Sequence, residues 1–350
     1  MSYYDCEKII NLKDLDNEDA SIFIVTSNRS AGKTTSFLKK MLTNFNEKKE
    51  EFILLYRYSY ELNSSNEIFK DVLSIYPNLG KDMTLISHAR GLFYELRVDN
   101  NTCGYALSLS NVDSLKKYSG LFANVTSILM DEFQTESGKY LPKEVQKVQS
   151  VLLTVARGGG CQSRNVKLFL LGNNISMMNP YFITFGIHKR LNPNTHFLKG
   201  KGWVAEFDFN ESAKKAIEEN AIFKAFNNSN NKSYMEYATK KGYLKDDKMF
   251  IESLTGKNKY LCTIIHDGIS YGVREYYEDG FLYVSKKCDK LCKTVLTFKV
   301  SDHNQNSIII NRYSWIGKRL KEAFNNGFMR FDDVESKNAI FDILAIDIYD

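Results

Sequence analysis

The chain has 350 residues, of which 43% are hydrophobic and 25% are charged. This length can bury a sizeable core and is enough for two domains, and the composition is that of a soluble globular protein. The 21 tyrosines and 23 phenylalanines exclude disorder over most of the chain. The formal net charge of +5 is mild, so it permits a polyanionic partner without requiring one.

The 6 cysteines are scattered along the chain and form no framework of close pairs. No signal-peptide pattern opens the sequence, so a reducing, intracellular location is expected. Cys288, Cys292 and His266 could form a metal cluster, but further ligands at zinc spacing are missing, and ordinary thiols are the favoured interpretation. No apolar run reaches the length needed to span a bilayer, which predicts a soluble protein without a membrane partner.

The first informative pattern is a strand, a turn of small residues and a helix. An apolar, β-branched run at 21–26 predicts a buried strand, and apolar residues at helical spacing over 36–42 predict a helix. The residues between them predict a phosphate-binding loop: Ser27, Asn28, Arg29, Ser30, Ala31, Gly32, Lys33, Thr34 and Thr35. In such a loop, backbone N–H groups and the helix N-terminus wrap a polyphosphate. Lys33 would reach the outer phosphates, and the hydroxyl of Thr34 would ligate Mg²⁺.

The loop departs from the standard pattern at two positions. Ser27 stands where the pattern opens with glycine, and serine adopts positive φ less readily than glycine does. Arg29 places a fixed cation where any residue is allowed. A chance Gly-Lys-Thr at a helix start therefore stays open as an alternative at this point.

A second apolar run at 52–56 predicts another buried strand, which Arg57 follows. Strand, phosphate loop, helix and strand form a βαβ unit, so a parallel sheet is expected. Because ligands of α/β sheets bind at the carboxyl ends of the strands, Arg57 could contact nucleotide or a neighbour. A solvated strand end is an equal alternative.

Three segments with alternating polarity, 83–88, 92–98 and 104–109, predict a small antiparallel excursion. A short polar segment with two cations, Lys116 and Lys117, follows them. For these lysines the sequence alone favours an ordinary surface loop over a functional one.

An apolar run at 125–130 predicts a third buried strand, and it ends in Asp131 and Glu132. In an ATPase the first of these carboxylates holds the Mg²⁺ shell together with the loop hydroxyl, Thr34. The second carboxylate would polarise the attacking water as a general base. An acidic pair is weak evidence by itself. A pair that follows a strand of this length, in a chain with a Gly-Lys-Thr about a hundred residues earlier, predicts nucleotide hydrolysis.

Residues 141–156 predict an amphipathic helix that ends at Arg157 and three glycines. In an assembled ring, such an arginine can reach a neighbour's γ-phosphate and neutralise charge in the transition state. An arginine that complements the helix dipole is an equal alternative.

The run 166–171 predicts a core strand followed by Asn173. An amide at this strand end can bond a γ-phosphate or the lytic water, although a structural turn uses the same residues. Three strands, 21–26, 125–130 and 166–171, all end in polar residues of suitable kinds, which favours the functional interpretation.

A second region begins near residue 198, with a charged helix over 211–226 and a polar linker at 227–233. Beyond it, the alternation predicts a mostly antiparallel sheet closed by two helices. Its predicted elements are strands 259–265, 270–276, 281–285 and 295–300 with hairpin turns at 266–268 and 278–280, then helices 312–325 and 333–346.

The carboxylates of this region make metal-dependent cleavage an improbable function. Asp267, Asp279, Asp302 and Asp347 are available, but the first two fall in tight turns, where aspartate is expected for conformational reasons. Four lysines interleaved with aromatic residues favour a nucleic-acid-facing surface, with a plain solvated hairpin as the competitor: Lys286, Lys287, Lys290 and Lys293 with Tyr283 and Phe298.

Over nearly its whole length the sequence resembles the DNA-packaging ATPases of small phi29-like tailed phages, relatives of the large terminase motors. The matching motifs are Arg29 with Gly32, Lys33 and Thr34; the stretch 52–62 with Arg57; 124–128 leading to Asp131, Glu132 and Phe133; Asn173; 179–182; 268–273; 280–283; and the idiosyncratic block 323–332. The resemblance implies an α/β P-loop NTPase core of the ASCE, RecA- and terminase-like type, with a parallel-rich sheet. It also implies a C-terminal α+β domain like a degenerate ribonuclease-H-type nuclease that lacks its acidic cluster.

The resemblance further implies an ATP- and Mg²⁺-dependent motor that pumps double-stranded DNA into an empty prohead. Such motors are homo-oligomeric rings, usually pentamers, docked onto the prohead by a packaging RNA and the portal. Carried over by position, Arg157 is the arginine that acts in trans, Glu132 the catalytic glutamate and Asn173 the coupling residue. Lys116 and Lys117 become candidates for gripping DNA, because sequence-independent translocation relies on phosphate contacts.

The expected domains are an ATPase domain over 1–200, a helical linker or lid over 201–232, and a vestigial nuclease domain over 233–350 that binds nucleic acid or the procapsid. The expected location is the host cytoplasm, with transient attachment to the portal vertex and absence from the mature virion. Three alternatives remain open: a helicase- or recombinase-like ATPase, a cleaving terminase, and a non-hydrolysing nucleic-acid-binding scaffold.

Overall fold

The computed structural model describes residues 4–136, 140–157, 163–177, 179–191, 195–220, 223, 250–277 and 280–345. The described residues fall into two compact units. The first unit contains those up to 177 and from 190 to 223, and the second contains 179–189 and those from 250 onward. Among the described residues, no helix combines the length and apolarity that crossing a bilayer requires.

The helices and strands are numbered in chain order. The helices are α1 Glu7–Ile10, α2 Lys33–Lys48, α3 Ser65–Ile75, α4 Val112–Leu115, α5 Glu144–Ala156, α6 Pro180–Thr184, α7 Glu211–Glu219, α8 Trp315–Asn325 and α9 Val334–Ala345. The strands are β1 Ile22–Ser27, β2 Glu51–Tyr56, β3 Met83–His88, β4 Phe93–Val98, β5 Asn101–Ser108, β6 Val125–Met130, β7 Lys167–Asn173, β8 Phe197–Gly200, β9 Trp203–Phe207, β10 Asn258–His266, β11 Ile269–Tyr276, β12 Phe281–Ser285, β13 Val295–Thr297, β14 Ile308–Ile309 and β15 Met329–Phe331.

The first unit is built on a nine-stranded sheet with the order β3-β4-β5-β2-β6-β7-β1-β9-β8. The six strands from β5 to β9 in this order pair in parallel. Antiparallel strands β4 and β3 extend one edge, and β8 extends the other. The parallel-rich core predicted from the sequence is therefore confirmed, and β7 lies between β1 and β6.

The core strands are buried along nearly their whole length, as the uninterrupted apolar runs predict for a parallel sheet covered on both faces. The apolar face of α2 packs against the sheet through Phe37, whose ring lies 5.0 Å from that of Phe169 on β7. Phe169 in turn stacks on Phe23 of β1, with a centroid separation of 5.3 Å. This packing fixes the start of α2 relative to the end of β1.

The antiparallel excursion predicted over 83–109 is present as β3, β4 and β5. The turn between β4 and β5 contains Asp99 and Asn100 with φ of 47° and 64°, a left-handed pair that suits a tight hairpin. The excursion is continuous with the main sheet, because β5 also pairs in parallel with β2.

The hairpin of β8 and β9 continues the first sheet across residue 200, where the sequence analysis predicts the end of the ATPase domain. Strand β9 pairs in parallel with β1, so Trp203 lies beside Ile22 in the interior of the first sheet. The change of composition near 198 thus accompanies an edge hairpin and does not mark the end of the domain. The predicted helix 211–226 is described as α7 up to Glu219, and the predicted linker at 227–233 lies outside the described residues.

The second unit is built on a six-stranded sheet with the order β14-β13-β10-β11-β12-β15. Strands β10, β11 and β12 form an antiparallel meander, whereas β13, β14 and β15 join by parallel pairing. The long strands of the sheet are antiparallel as predicted, whereas the short strands after the meander return in the parallel direction, which the alternation does not predict. The predicted turn at 266–268 is present, with φ of 50° at Asp267 and 75° at Gly268. Of the predicted turn at 278–280, residues 278 and 279 lie outside the described residues.

Residues 179–189 belong to the second unit, although the predicted domain 1–200 includes them. Buried His188 explains this placement, since its Nε2 lies 2.6 Å from Oδ1 of Asp342 on α9. The other carboxylate oxygen lies 3.1 Å from Nε2 of His266 at the end of β10. His266 thus lies beside Asp342 and Asp267, while Cys288 and Cys292 carry free thiols.

Candidate active site

The predicted phosphate loop lies at the carboxyl edge of the first sheet, between the end of β1 and the start of α2. Strands β6, β7 and β1 are neighbours, and Ser27 at the end of β1 pairs with Asn173 at the end of β7. Because the three strands are parallel, the polar residues that follow them meet at one edge. The predicted convergence of these strand ends is confirmed.

The loop adopts left-handed φ at two positions, Ser30 at 61° and Gly32 at 83°. Gly32 is the residue before the first turn of α2, which opens with Lys33, Thr34 and Thr35. Ser27 is buried and is the last residue of β1, so the backbone there is extended and does not need the left-handed freedom of a glycine. Its replacement of the usual glycine is therefore compatible with the loop.

The ammonium of Lys33 lies inside the loop and is only 7% exposed. Its Nζ donates hydrogen bonds to Ser27 Oγ at 2.9 Å, to Asn28 O at 3.3 Å and to Asn173 Oδ1 at 3.2 Å. Burial lowers the pKa of Lys33 to about 8, although the neighbouring Asp131 carboxylate acts in the opposite direction. The structure therefore brings together the predicted lysine at the start of α2 and the predicted amide at the end of β7.

Thr34 and Asp131 are in direct contact, because Thr34 Oγ1 donates a hydrogen bond of 2.6 Å to Asp131 Oδ2. Burial raises the pKa of Asp131, against the lowering effects of the Thr34 hydrogen bond and of the Lys33 ammonium. A hydroxyl oxygen beside a carboxylate oxygen is a pair of hard donors of the kind that Mg²⁺ takes in proteins. These two residues therefore fit the ion that the loop implies.

Glu132 presents an exposed side chain next to this pair. Its backbone has a φ of 54°, and its N–H donates to Asp131 Oδ1 at 2.9 Å. Desolvation by its surroundings, followed by repulsion from Asp131, raises the pKa of Glu132. A carboxylate with a raised pKa near the phosphate loop has the properties of a general base.

A polar cavity of about 440 Å³ opens beside these residues and is lined by Glu132, Asn173, Arg29 and Arg57, among others. Arg29 forms an ion pair with Glu136, which lines the same cavity. Another loop residue, Ala31, is buried and accepts a backbone hydrogen bond of 2.8 Å from Tyr4 N–H. The N-terminal segment thus helps to hold the loop in place.

Arg57 differs from the solvated strand end considered above, because it is only 8% exposed. Its Nε and Nη2 each donate to the carboxylate of Glu144 at 2.9 Å, and Nη2 also donates to Phe133 O at 2.9 Å. A weaker bond of 3.4 Å joins Nη1 to Glu132 O. Arg57 therefore clamps the backbone of the acidic segment to the first turn of α5 while lining the cavity.

The helix before Arg157 begins at Glu144, three residues later than predicted, and ends at Ala156. Arg157 follows it with an exposed side chain, and the three glycines after it lie outside the described residues. Lys116 and Lys117 are also exposed, but they open a 3-10 helix, Lys116–Phe122, and not the predicted loop. Lys116 Nζ pairs with Asp113 at 2.8 Å.

Sequence reasoning missed two residues that shape this edge. Glu144 is fully buried beneath Arg57, and only its place in the first turn of a helix could have drawn attention to it. Gln134 accepts a hydrogen bond of 2.9 Å from Ser176 N–H and so ties the segment after β6 to the segment after β7. No local pattern in the sequence marks Gln134.

The fold and the residues at the carboxyl edge of the first sheet together define a P-loop nucleotide-binding protein of the ASCE type. In this type an additional strand, here β7, separates the strand before the phosphate loop, β1, from the strand that carries the acidic pair, β6. The family model described as "Podovirus DNA encapsidation protein (Gp16)" matches residues 3–347, and the chain belongs to this family.

Two similar proteins are the "DNA packaging protein" of Bacillus phage phi29, 27% identical over 333 residues and 93% of each chain, and that of Bacillus phage B103, 27% identical over 323 residues, 90% of this chain and 94% of the other. Among solved structures, "The bacteriophage Phi-29 viral genome packaging motor assembly" matches with a TM-score of 0.58, 25% identity and 99% of each chain covered. "The Phi-28 gp11 DNA packaging Motor" shares the fold, with a TM-score of 0.60, 16% identity and coverage of 99% of this chain and 98% of the other.

Proposed function

We propose that the protein is an ATP-driven motor that translocates viral double-stranded DNA into a preformed procapsid. The observation that carries this proposal is the contact between Thr34 and Asp131, 2.6 Å long, beside the buried ammonium of Lys33. It joins the phosphate loop to the acidic pair in the way that hydrolysis of a nucleoside triphosphate requires. Family membership over both units supports packaging above a helicase-like or scaffold function.

In the proposed reaction, residues 27–35 wrap the triphosphate, and Lys33 transfers its hydrogen bonds from the loop to the outer phosphates. Thr34 and Asp131 would hold Mg²⁺, which supplies neutralisation of the phosphate charge. Glu132 accepts the proton of the attacking water, and its raised pKa suits that role near neutral pH. Asn173 would detect the loss of the γ-phosphate, a role that its hydrogen bond to Lys33 supports.

Arg157 is the proposed contribution of a neighbouring subunit. Its exposed position at the end of α5 leaves the guanidinium accessible to a partner, and a cation supplied in trans stabilises charge in the transition state. Because the ATP-binding site would be completed only at subunit interfaces, the assembly would be a ring of identical chains. We take this ring to be a pentamer, as in the family that the sequence resembles.

The C-terminal unit is the proposed vestigial nuclease of ribonuclease-H type. Five of its strands have the order β12-β11-β10-β13-β14, with the meander on one side and parallel strands on the other, which supports that assignment. Nuclease activity is not proposed, because Asp302 accepts N–H groups of Asp267 and Gly268, and Asp267 pairs with Lys299.

The remaining partners follow from the packaging function. Exposed Lys116 and Lys117 are candidates for contacting DNA phosphates, which would give grip without sequence preference. The motor would dock on the portal with a packaging RNA, act in the host cytoplasm at the procapsid vertex, and be absent from the mature virion. The C-terminal domain is the proposed site of nucleic-acid or procapsid binding.

The test compares ATP hydrolysis by the parental protein and by Lys33→Ala. We expect the variant to lose hydrolysis, because the outer phosphates lose their buried cation. Lys39→Ala is the matched control, since Lys39 lies on the same helix with an exposed side chain and should hydrolyse ATP as the parent does. Hydrolysis at the parental rate by Lys33→Ala would show that the assigned site is wrong.

A further inference from the structure

The side chain of Asn28 joins the phosphate loop to the start of α7. Asn28 is fully buried, and its Nδ2 donates to Asn210 O at 3.1 Å. Its Oδ1 accepts from Asn210 N–H at 2.8 Å. One amide side chain thus satisfies both backbone groups of a residue that is distant in the sequence.

This pair continues a strand ladder that the loop interrupts. Strands β1 and β9 pair in parallel up to Thr26 beside Phe207, and Asp208 N–H still donates to Thr26 O at 2.9 Å. Beyond that point the backbone turns into the loop and no longer runs beside the chain that follows β9. Because buried backbone groups require partners, the amide of Asn28 replaces the missing ladder bonds.

Asn210 is also the residue that caps α7. Its Oδ1 accepts from Ala213 N–H at 2.9 Å, and its carbonyl accepts from Lys214 N–H at 3.1 Å. Asn210 therefore stabilises the first turn of the helix, and Asn28 fixes the backbone of Asn210. A displacement of Asn28 would weaken the hydrogen bonds that the amides of Ala213 and Lys214 donate to Asn210.

The carbonyl of Asn28 faces the nucleotide side of the same residue. It accepts hydrogen bonds from Lys33 Nζ at 3.3 Å and from Ser27 Oγ at 3.2 Å. Phosphate oxygens are charged acceptors and bind an ammonium more strongly than a neutral carbonyl does. A bound triphosphate would therefore draw Lys33 away from Asn28, which is bonded both to this lysine and to Asn210, the cap of α7.

We infer that Asn28 and Asn210 are a positioning pair that transmits the state of the phosphate loop to α7, so that nucleotide binding alters the first turn of that helix. The inference rests on the proposed function, because it takes the ligand of Lys33 to be a nucleoside triphosphate. It adds a route by which that ligand acts outside the loop.

The experiment is amide hydrogen exchange of the full-length protein with and without a saturating non-hydrolysable ATP analogue and Mg²⁺. In the parental protein we expect the exchange rates at Ala213 and Lys214 to change by at least about threefold, since exchange reports local opening. Asn28→Ala is measured at an analogue concentration that saturates the binding curve of that variant, and there the difference should disappear. Asn210→Ser keeps the backbone groups and an equally good helix cap, so it should respond as the parent does.

An unchanged exchange rate in the parental protein at saturating analogue overturns the inference, and that measurement needs no variant to fold. An equal response in Asn28→Ala also overturns it. Failure of the proposed function has a different signature: the analogue would then not bind the parental protein, or it would bind Lys33→Ala with parental affinity.

Discussion

Carboxylates follow parallel-paired strands in both sheets, but they meet different partners. After β6 of the first unit, Asp131 accepts a hydroxyl hydrogen bond from Thr34, and Glu132 remains exposed. In the second unit, Asp267 follows β10 and pairs with the ammonium of Lys299 at 2.7 Å. Asp302 accepts two backbone N–H groups at 2.9 and 3.0 Å.

The nature of these donors decides what each sheet edge can do. A hydroxyl oxygen keeps its lone pairs while it donates its proton, so Thr34 can ligate a cation and still bond to Asp131, whose other oxygen positions can ligate the same cation. Ammonium and N–H groups have no lone pair to offer, so Asp267 and Asp302 are committed to structural bonds. An aspartate after a strand is therefore chemically informative only together with the group that faces it.

The largest effect that this comparison predicts is at Glu132. Glu132→Gln should lower the rate of ATP hydrolysis by about 10²- to 10⁴-fold, because the amide cannot accept the proton of water. Binding of ATP should persist, since Gln has nearly the same shape. Phosphate release at saturating ATP measures the rate, and Asp302→Asn in the second unit should leave it unchanged. Equal losses in the two variants would remove the distinction between the edges.

The buried ion pair between Arg57 and Glu144, called the clamp below, gives the next largest effect. Arg57→Met leaves the carboxylate of Glu144 buried without its cation, which should lower the free energy of unfolding by roughly 3 to 5 kcal/mol. Hydrolysis should fall as well, because the carbonyls of Glu132 and Phe133 lose their anchor. Urea denaturation followed by tryptophan fluorescence measures the change.

The double variant Arg57→Met/Glu144→Leu is the control for this clamp, because it removes both charges and leaves an apolar pair. It should recover part of the lost stability but not the lost hydrolysis. A double variant as unstable as Arg57→Met would contradict the assigned ion pair.

The nucleotide site was largely predictable because its chemistry is carried by short contiguous patterns. The loop 27–35 and the pair Asp131 and Glu132 each sit at the end of an apolar run, and parallel strands must bring such ends to one edge. Asn173 followed from the same rule.

The clamp and the division into units were not predictable in this way. Arg57 and Glu144 are 87 residues apart, and a buried ion pair depends on tertiary packing that no local period encodes. Residues 179–189 belong to the second unit, where His188 contacts Asp342, a residue still farther away in the sequence. Composition alone also could not place β8 and β9 in the first sheet, because the pairing of β9 with β1 is a long-range contact.

A third kind of carboxylate, Glu95 on β4, sharpens the contrast with the site. Burial acts to raise its pKa, but hydrogen bonds from Arg97, Thr102 and His88 outweigh this and lower the pKa to about 2. The folded-state value is thus below the unfolded value of about 4.3, so the ionised group stabilises the fold above that pH. This stabilisation should be lost as the pH falls from about 4.3 towards 2.

Denaturation midpoints of the parent and of Glu95→Gln measured over that acidic range test this assignment. The free energy of unfolding of the parent should fall more steeply with decreasing pH than that of the variant. The total decrease should be smaller than the one expected for Arg57→Met. Identical slopes would mean that the three donors do not hold the ionised form. Asp131, whose pKa burial raises, cannot produce such a loss.

The smallest predicted effect is at Asp302. Asp302→Asn keeps one acceptor for the N–H groups of Asp267 and Gly268, so it should cost only about 1 kcal/mol of stability. Addition of Mn²⁺ should change neither the Tm of the parental protein nor the integrity of a supercoiled plasmid, because both oxygens of Asp302 already accept N–H groups and one oxygen of Asp267 is paired with an ammonium. If Mn²⁺ instead raised the parental Tm and Asp302→Asn abolished the rise, the backbone bonds would be exchangeable for a metal. The two sheet edges would then differ in occupancy and not in chemistry, and the cleaving terminase would return as the function of the second unit.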